Sequence, residues 1–212
     1  MNDFEKEREE VATFMRRLYR QFLTTTSGGN ISCRTPQGHI LITASQSDKG
    51  EQTGKTVGIV TLQGENLTPH LKLSIETELH LAVYKARKDV HAIVHAHPVT
   101  ATFFCTKESP PLNTRFTAEA YAVAGDAVKI PYALMGSSQL AELVAEKMRF
   151  TDCGLMENHG VITTGKTLLQ AFDRMELLEN AAKQTLWSQL IPASTLTNEQ
   201  LEELDHFAGR KK

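Results

Sequence analysis

The chain has 212 residues, of which 41% are hydrophobic and 23% are charged, and its formal net charge at pH 7 is -2. This composition is typical of a globular protein with a sizeable apolar core, and the length predicts a single domain over residues 1–212. The charge balance disfavours electrostatic binding to nucleic acid or to an anionic membrane surface, and no apolar run approaches the roughly 20 residues that span a bilayer.

Hydrophobic periodicity predicts the elements in chain order. Apolar residues at helical spacing predict an amphipathic helix over 4–23, and Ser74 is the predicted N-cap of a helix over 74–88. Strands are predicted over 30–35, 39–43 and 57–62, with a polar loop over 44–50. The later predictions are a strand after Asp89 that ends at Pro98, a short helix over 99–105, a loop over 106–118, a strand over 127–131, a helix over 137–148, strands over 154–157 and 161–164, a helix over about 167–190 and a last short helix behind a capping box at Thr197.

The connections between these elements predict the kind of sheet. Several predicted strands are joined by short turns, such as the Pro-Gln-Gly turn at 36–38. Short turns join antiparallel neighbours, whereas parallel neighbours need long crossovers. We therefore expect an α/β fold with a mixed, mainly antiparallel central sheet and helices on its faces.

Three cysteines and the N-terminal residues bear on the cellular compartment. Cys33, Cys105 and Cys153 are odd in number and widely separated, which favours reduced thiols over a disulfide framework. Residues 1–7 are charged rather than apolar, which is not the pattern of a secretory signal peptide. We therefore expect a cytoplasmic protein.

A pair of histidines near the middle of the chain is a candidate metal site. His95 and His97 are two residues apart on a predicted strand, so both imidazoles project from one face of the sheet. Together they can hold a metal ion if a third ligand reaches them. Taken alone, the pair is more readily explained as ordinary half-buried histidines.

Two further residues are candidates to complete this site. A helix over 74–88 is about 22 Å long, and a returning strand of six or seven residues covers about the same length, so Glu76 comes back to the level of His95. His159 precedes Gly160 between two predicted strands. Taken alone, Glu76 is also explained as a first-turn acid, and His159 as a turn histidine. Three imidazoles with an open fourth position are typical of catalytic zinc.

Small polar residues around these candidates suit an anion. The segment Gly28-Gly29-Asn30 can expose backbone N–H groups, Ser45 and Ser47 add hydroxyls, and Ser74 lies at a predicted helix N-terminus. Together they could bind one phosphate beside a metal. Separately, each is also explained by turn chemistry.

From about residue 5 to 190 the sequence resembles the class II aldolase and adducin head family, and within it the L-fuculose-1-phosphate aldolases. The resemblance rests on segments 27–32, 41–45, 73–76 with His80 following, 95–97 and 158–160, and on the spacing of 19 residues from Glu76 to His95. It implies a three-layer α/β/α sandwich around a mainly antiparallel sheet. It also implies a homotetramer with active sites between subunits.

The resemblance implies roles for particular residues. His95, His97 and His159 would hold one zinc ion per subunit, and Glu76 would ligate zinc at rest and act as acid and base during turnover. The family's phosphate-binding positions fall on Gly29, Asn30, Ser45, Gln46, Ser74 and Ile75.

Three positions depart from the family pattern. The family usually has Gly where this chain has Gln46. A tyrosine that donates a proton aligns best with Glu119, although Tyr121 is two residues away, so both are candidates for the second acid. A C-terminal tyrosine of the aldolases has no counterpart in residues 205–209.

The expected activity is that of a lyase, a zinc-dependent aldolase that cleaves a ketose 1-phosphate such as L-fuculose 1-phosphate to dihydroxyacetone phosphate and an aldehyde. Such cleavage needs a base for the C4 hydroxyl and a Lewis acid for the developing enediolate. The alternatives are a dehydratase like those of methylthioribulose 1-phosphate, whose Ser-x-x-Asp-Lys-Gly pattern resembles residues 45–50, a pentulose-phosphate 4-epimerase, and a non-catalytic adducin-like module. The epimerases carry Asp where Glu76 stands, and the modules lose the metal ligands.

Overall fold

A seven-stranded sheet forms the centre of the fold in the computed structural model, which describes residues 4–210. The strands are β1 Asn30–Arg34, β2 Ile40–Thr43, β3 Val57–Val60, β4 Ala92–Ala96, β5 Val128–Ile130, β6 Cys153–Met156 and β7 Gly160–Gly165. The helices are α1 Glu5–Arg20, α2 Thr77–Ala86, α3 Val99–Phe103, α4 Ala118–Ala124, α5 Ser138–Lys147, α6 Leu168–Trp187 and α7 Asn198–Phe207. Two single 3-10 turns, Lys49–Glu51 and Gly54–Thr56, lie between β2 and β3.

The strand order is β3-β2-β1-β4-β7-β6-β5, with every neighbouring pair antiparallel except β5 and β6. The prediction of a mixed, mainly antiparallel sheet is confirmed. In the centre, Asn30 of β1 lies opposite His95 of β4, and Ala96 of β4 lies opposite Val161 of β7. The start of β1, the end of β4 and the start of β7 therefore meet at one edge of the sheet.

Helices cover both faces of the sheet, which confirms the predicted three-layer arrangement. Helices α1, α3 and α6 pack on one face, where Val94 and Ala96 of β4 join their core. Helices α2 and α5 pack on the other face, where Ile93 belongs to a second core. Because side chains alternate along a strand, His95 projects from the same face as Ile93, toward α2.

The helix that follows Glu76 differs from its prediction. Helix α2 begins at Thr77, not at Ser74, and ends at Ala86. Ser74 still acts locally, because its hydroxyl accepts the Glu76 N–H at 3.3 Å and its carbonyl accepts the Thr77 N–H at 3.1 Å. This turn leaves Glu76 at the N-cap position, where its side chain makes no capping hydrogen bond.

Two other boundaries also differ. Helix α1 ends at Arg20, before the predicted residue 23, because Phe22 adopts a left-handed conformation with φ 58°. The segment predicted as a loop over 106–118 is followed by the unpredicted helix α4, whose N-cap Thr117 accepts the Ala120 N–H through its hydroxyl. A seven-residue helix is too short to give a clear periodic pattern.

The structure bears on two expectations from the sequence, those about membrane-spanning helices and about the cysteines. Among residues 4–210, no helix is both long enough and apolar enough to span a bilayer. All three cysteines are free thiols; Cys105 and Cys153 are buried and Cys33 is half-buried. The cytoplasmic location remains a prediction.

Helix α6 allows a matched test of the packing. Leu178 is fully buried, whereas Leu169 on the same helix is 61% exposed. We expect Leu178→Ala to lower the free energy of unfolding by about 2–5 kcal/mol, because it removes buried methyl groups and leaves a cavity. Leu169→Ala should change it by no more than about 0.5 kcal/mol. Urea unfolding of both variants checks this, and similar losses would contradict the described packing.

Candidate metal centre

Three histidines meet at the sheet edge where β1, β4 and β7 come together. His95 lies near the end of β4, His97 lies just beyond it, and His159 lies in the turn between β6 and β7. The ring centroids are 4.7 Å apart for His95 and His97, 4.9 Å for His95 and His159, and 5.6 Å for His97 and His159. One nitrogen from each ring lies within 4.8 Å of the others, so the cluster could hold a metal ion.

Glycines make room for these rings. A Cβ atom at Gly160 would lie 2.5 Å from His97 Cδ2 and 2.8 Å from the Ala96 carbonyl oxygen. A Cβ atom at Gly28 would lie 2.9 Å from His97 Nδ1. The turn that presents His159 also contains Asn158 at φ 51°, a left-handed conformation that asparagine tolerates. Small residues at these positions are therefore a steric requirement of the cluster.

Glu76 reaches the cluster from the start of α2. It is 5% exposed, and its Oε2 lies 3.1 Å from His95 Nε2 while its Oε1 lies 3.2 Å from His159 Nε2. These separations are short, but the groups are not oriented for hydrogen bonds, and His95 Nε2 and Glu76 Oε1 are buried without a hydrogen-bond partner among the described residues. Buried nitrogen and oxygen lone pairs that face one another suit a cation between them.

Hydrogen bonds fix the orientation of His95. Its Nδ1 donates to the Val161 carbonyl at 2.9 Å, so in the neutral ring Nε2 carries the lone pair and faces the cluster. A backbone partner on the second ring nitrogen is typical of metal-binding histidines.

The protonation states also suit a metal. Burial lowers the pKa of His97 to about 3 and that of His159 to about 4, so both rings are neutral near pH 7. Burial alone would raise the pKa of Glu76, but the nearby imidazoles of His95 and His159 and a hydrogen bond from Asn30 outweigh it and hold the pKa below its usual range. Burial alone would lower the pKa of His95, but the Glu76 carboxylate outweighs burial and raises it. Neutral imidazoles and an ionised carboxylate are the forms that bind metals, so His97, His159 and Glu76 are already in those forms, and a metal ion would displace the proton that Glu76 favours on His95.

Comparison with known proteins identifies the family to which this chain belongs. The sequence profile described as "Class II Aldolase and Adducin N-terminal domain" matches residues 9–186. The chain belongs to this family.

Several relatives extend over almost the whole chain. The 3-oxo-tetronate 4-phosphate decarboxylase of Haemophilus influenzae is 30% identical over 94% of this chain and 96% of its own length. The 5-deoxy-D-ribulose 1-phosphate aldolase of Bacillus thuringiensis serovar kurstaki is 33% identical over 97% and 95%. The L-fuculose phosphate aldolase of Methanocaldococcus jannaschii is 32% identical over 87% and 98%.

A solved structure agrees with these matches. A protein described as L-fuculose 1-phosphate aldolase superposes with a TM-score of 0.85, at 28% identity and 94% coverage of each chain. The predicted resemblance to the class II aldolase family and the assignment of the chain as a lyase are confirmed at this level.

The segments that carry the predicted phosphate-binding positions lie side by side in this member of the family. Ala44 forms a β-bridge with Leu73, and the Ser45 N–H donates to the Lys72 carbonyl at 2.8 Å, so the loops before Gln46 and before Glu76 run together. Gln46 adopts φ 54°, a left-handed conformation in which glycine is unstrained. This conformation explains why the family's usual residue there is Gly.

The other four predicted phosphate positions lie close to Glu76 in space or in sequence. Gly29 adopts φ 70°, and a Cβ atom there would lie 2.8 Å from the His95 carbonyl oxygen. The Asn30 carboxamide contacts Glu76 directly, with Nδ2 donating to Oε2 at 2.9 Å. Ser74 contacts the Glu76 N–H, and the adjacent Ile75 is 55% exposed. Their phosphate contacts stay predictions.

The two candidates for the second acid lie elsewhere in the protomer. Tyr121 of α4 is buried beneath the Arg210 guanidinium, 4.7 Å from the ring centre, and lines a cavity of 730 Å³ together with Lys166. Lys166 follows β7, whereas His159 precedes it, so Tyr121 lines a cavity at the end of β7 opposite to the cluster. Glu119 is exposed on the same helix. Among the described residues, no contact joins either side chain to the histidines.

One sequence pattern at the site is misleading. Residues 160–167 match Gly-x-x-x-x-Gly-Lys-Thr, the pattern of nucleotide-binding P-loops. The first six of these residues form β7, which pairs with β4 and β6, so they are strand rather than loop. The segment contributes to the metal centre through Gly160, which makes room for the rings, and through the Val161 carbonyl, which accepts the His95 Nδ1–H.

The steric role of Gly160 gives a prediction. Gly160→Ala should displace the His97 ring and lower the affinity for zinc by about 10–100-fold, the range seen when ligand orientation is disturbed. Gly38→Ala is the control, because φ 85° strains the backbone there but no atom lies within 4 Å of the new Cβ atom. It should lose stability without losing zinc affinity. Competition with a chromophoric chelator measures the affinity, and an unchanged value in Gly160→Ala would contradict the described site.

Proposed function

We propose that this chain is a zinc-dependent lyase that breaks a carbon–carbon bond in a phosphorylated keto sugar and uses Glu76 as its acid and base. The observation that carries this proposal is the buried Glu76 carboxylate, 3.1 Å from His95 Nε2 and 3.2 Å from His159 Nε2 within the three-histidine cluster. Zinc held by His95, His97 and His159 would act as a Lewis acid toward a developing enediolate.

The two oxygens of Glu76 differ in their surroundings. Oε2 accepts a hydrogen bond from the Asn30 amide, which fixes its position. Oε1 has no hydrogen-bond partner among the described residues and faces His159. Because a buried carboxylate that is ionised can accept a proton, Oε1 is the atom we assign to proton transfer with the reacting carbon.

Two reactions carried out by relatives share half of their chemistry. Retro-aldol cleavage of a ketose 1-phosphate breaks the C3–C4 bond; the electron pair stays on C3, and the C4 hydroxyl loses its proton as the aldehyde forms. Decarboxylation of a 3-oxo-tetronate 4-phosphate breaks the C1–C2 bond; the electron pair stays on C2, and carbon dioxide leaves. Both leave the enediolate of dihydroxyacetone phosphate, which Glu76 then protonates on carbon. The ionised Glu76 first takes up this proton, which derives from the C4 hydroxyl in the aldol cleavage and from solvent in the decarboxylation. The reactions differ only in the part of the substrate that departs, here called the leaving half, which is an aldehyde in the first reaction and carbon dioxide in the second.

The surroundings of the cluster support the aldolase. Val99, two residues beyond His97, is apolar and 78% exposed. Among the hydrogen bonds and ion pairs of the described residues, none joins a lysine or arginine to Glu76 or to the three histidines. A substrate carboxylate benefits from a nearby cation, whereas a short deoxy aldehyde does not. We therefore propose cleavage of a ketose 1-phosphate, such as L-fuculose 1-phosphate, as the main activity.

Decarboxylation is the second candidate. It is supported by the relative of that activity, which is 30% identical over 94% of this chain. It would need no base for an aldehyde hydroxyl. This matters because neither Glu119 nor Tyr121 contacts the cluster within one protomer.

We also propose that the protein is a cytoplasmic homotetramer of single-domain subunits. Exposed apolar side chains at the end of α6 support subunit contact: Leu186 is 45%, Trp187 58%, Leu190 79% and Ile191 67% exposed. In such an assembly, Glu119 or Tyr121 of a neighbouring subunit would act as the second acid, at the leaving half of the substrate.

A substrate panel tests the reaction. Zinc-loaded protein is incubated separately with L-fuculose 1-phosphate, 5-deoxy-D-ribulose 1-phosphate and 3-oxo-tetronate 4-phosphate, and the products are identified by mass. We expect dihydroxyacetone phosphate and the matching aldehyde from a ketose 1-phosphate. Dihydroxyacetone phosphate from the 3-oxo acid alone would support the decarboxylase instead. Loss of water without carbon–carbon cleavage, or no reaction at all, would overturn the proposal.

The role of Glu76 has a test of its own. Glu76→Gln keeps the shape of the side chain but removes its ability to accept a proton, so kcat should fall about 10²–10⁴-fold. Zinc should still bind through the three histidines. Glu78→Gln is the matched control, because Glu78 is exposed in the first turn of the same helix and should keep kcat within about twofold. Steady-state kinetics decide, and a Glu76→Gln enzyme of normal kcat would contradict the assignment.

A further inference from the structure

A chain of buried polar side chains runs from Glu76 into the layer between β1 and α2. Asn30 Nδ2 donates to Glu76 Oε2 at 2.9 Å, and Asn30 Oδ1 lies 2.5 Å from His80 Nε2. Ser32 Oγ lies 2.6 Å from His80 Nδ1 and 2.9 Å from the Tyr84 hydroxyl. Each of the five residues is at most 5% exposed.

The regular spacing of two elements builds this chain. Asn30 and Ser32 are two residues apart on β1, so both face α2. His80 and Tyr84 are four residues apart on α2, so they lie one above the other on the face toward β1. The side chains therefore interleave, with His80 between Asn30 and Ser32.

The direction of every hydrogen bond in the chain follows from its end at Glu76. An ionised carboxylate only accepts, so Asn30 donates with its amide and turns its carbonyl oxygen to His80. Burial lowers the pKa of His80 to about 3, so the ring is neutral and its single N–H is the Nε2–H that Asn30 accepts. Nδ1 then accepts from the Ser32 hydroxyl, and Ser32 accepts from Tyr84. All four donors point toward Glu76.

Such an arrangement does more than satisfy buried polar groups. Hydrogen bonds that point in one direction polarise one another, and the last donor then holds its acceptor more firmly. The chain ends on Oε2 alone and leaves Oε1 without a hydrogen bond. It also occupies both ends of the Asn30 carboxamide, so the Asn30 side chain cannot rotate without breaking two buried hydrogen bonds.

We propose that His80 is a positioning residue, which orients the Asn30 carboxamide so that it holds Glu76 Oε2 and leaves Oε1 directed at the reacting atoms. This inference rests on the proposed role of Glu76 as acid and base. On this proposal, the buried His80 of α2 affects kcat by way of Asn30 and Glu76.

Kinetics of two His80 variants test this role. His80→Phe fills the space but removes the donor to Asn30, and we expect kcat to fall about 10–100-fold with KM within about threefold. His80→Gln keeps an amide donor in reach of Asn30 and should recover kcat to within about fivefold of the wild type. Thr163→Val is the control for stability, because its buried hydroxyl donates to backbone carbonyls, of Ala171 at 2.7 Å and of Val94 at 3.5 Å, and not to any member of the hydrogen-bond chain.

The outcomes of the kinetic test are distinct. A His80→Phe enzyme that keeps kcat within twofold would overturn the proposal. The proposal would also be overturned if His80→Phe lost no more kcat than a Thr163→Val enzyme whose melting temperature falls by the same amount. If His80→Phe does not fold, His80→Gln is compared with His80→Leu at low temperature, and equal kcat values would overturn the proposal.

A spectroscopic arm is independent of turnover. In metal-free protein with ¹⁵N-labelled histidine, His80 should show the Nε2–H tautomer. Its resonances should move in the Glu76→Gln variant, because the acceptor at the end of the hydrogen-bond chain has changed. An unmoved His80 signal, or an Nδ1–H tautomer, would overturn the proposal. This arm also separates the two hypotheses: if wild-type protein cleaves no substrate, the proposed function fails, while the NMR result still decides whether His80 is coupled to Glu76.

Discussion

The metal centre depends on one costly interaction, the burial of the Glu76 carboxylate among imidazoles. A buried charge is tolerated only where other groups compensate it. Here the compensation comes from three places at once: the imidazoles of His95 and His159, the amide of Asn30, and the cation that the three histidines could hold. The protein groups come from different elements: Asn30 from β1, Glu76 from the start of α2, His95 from β4 and His159 from the turn before β7. The site therefore forms only when these elements have assembled.

The antiparallel sheet makes this assembly simple. Asn30 faces His95 across β1 and β4, and Val161 of β7 receives the His95 Nδ1 hydrogen bond. Alternation along β4 gives Val94 and Ala96 to one core while His95 projects toward α2. A one-residue slip of β4 would send His95 into the apolar core under α6, so the register that buries the core also directs the ligands.

Much of this arrangement could be predicted from residue spacing, and the remainder depended on partners that spacing does not specify. The i, i+2 spacing of His95 and His97 and the length of the helix before them were enough to bring Glu76 to the same level. The predicted start of α2 at Ser74 was wrong. The Ser74 hydroxyl accepts an N–H as an N-cap would, but the helix itself begins three residues later. Asn30 was predicted as a site residue, but a residue type does not reveal which groups its amide contacts. Conversely, the P-loop pattern at 160–167 is a strand, because pairing partners far along the chain decide whether a glycine-rich segment is extended.

The division of the site into two halves explains how relatives of this chain can carry different names. In the proposed mechanism, the histidine cluster, Glu76 and the hydrogen-bond chain through His80 all serve the enediolate half of the substrate, which is the same for aldol cleavage and for decarboxylation. These residues would therefore not determine which bond partner leaves. Selection would lie in groups that meet the leaving half, such as the apolar Val99 beyond His97 and the proposed second acid from a neighbouring subunit. If Glu119 of a neighbouring subunit acts at the leaving half, as proposed, its carboxylate would repel the carboxylate of a bound 3-oxo acid. The part of a ketose 1-phosphate that becomes the aldehyde is uncharged and would meet no such repulsion.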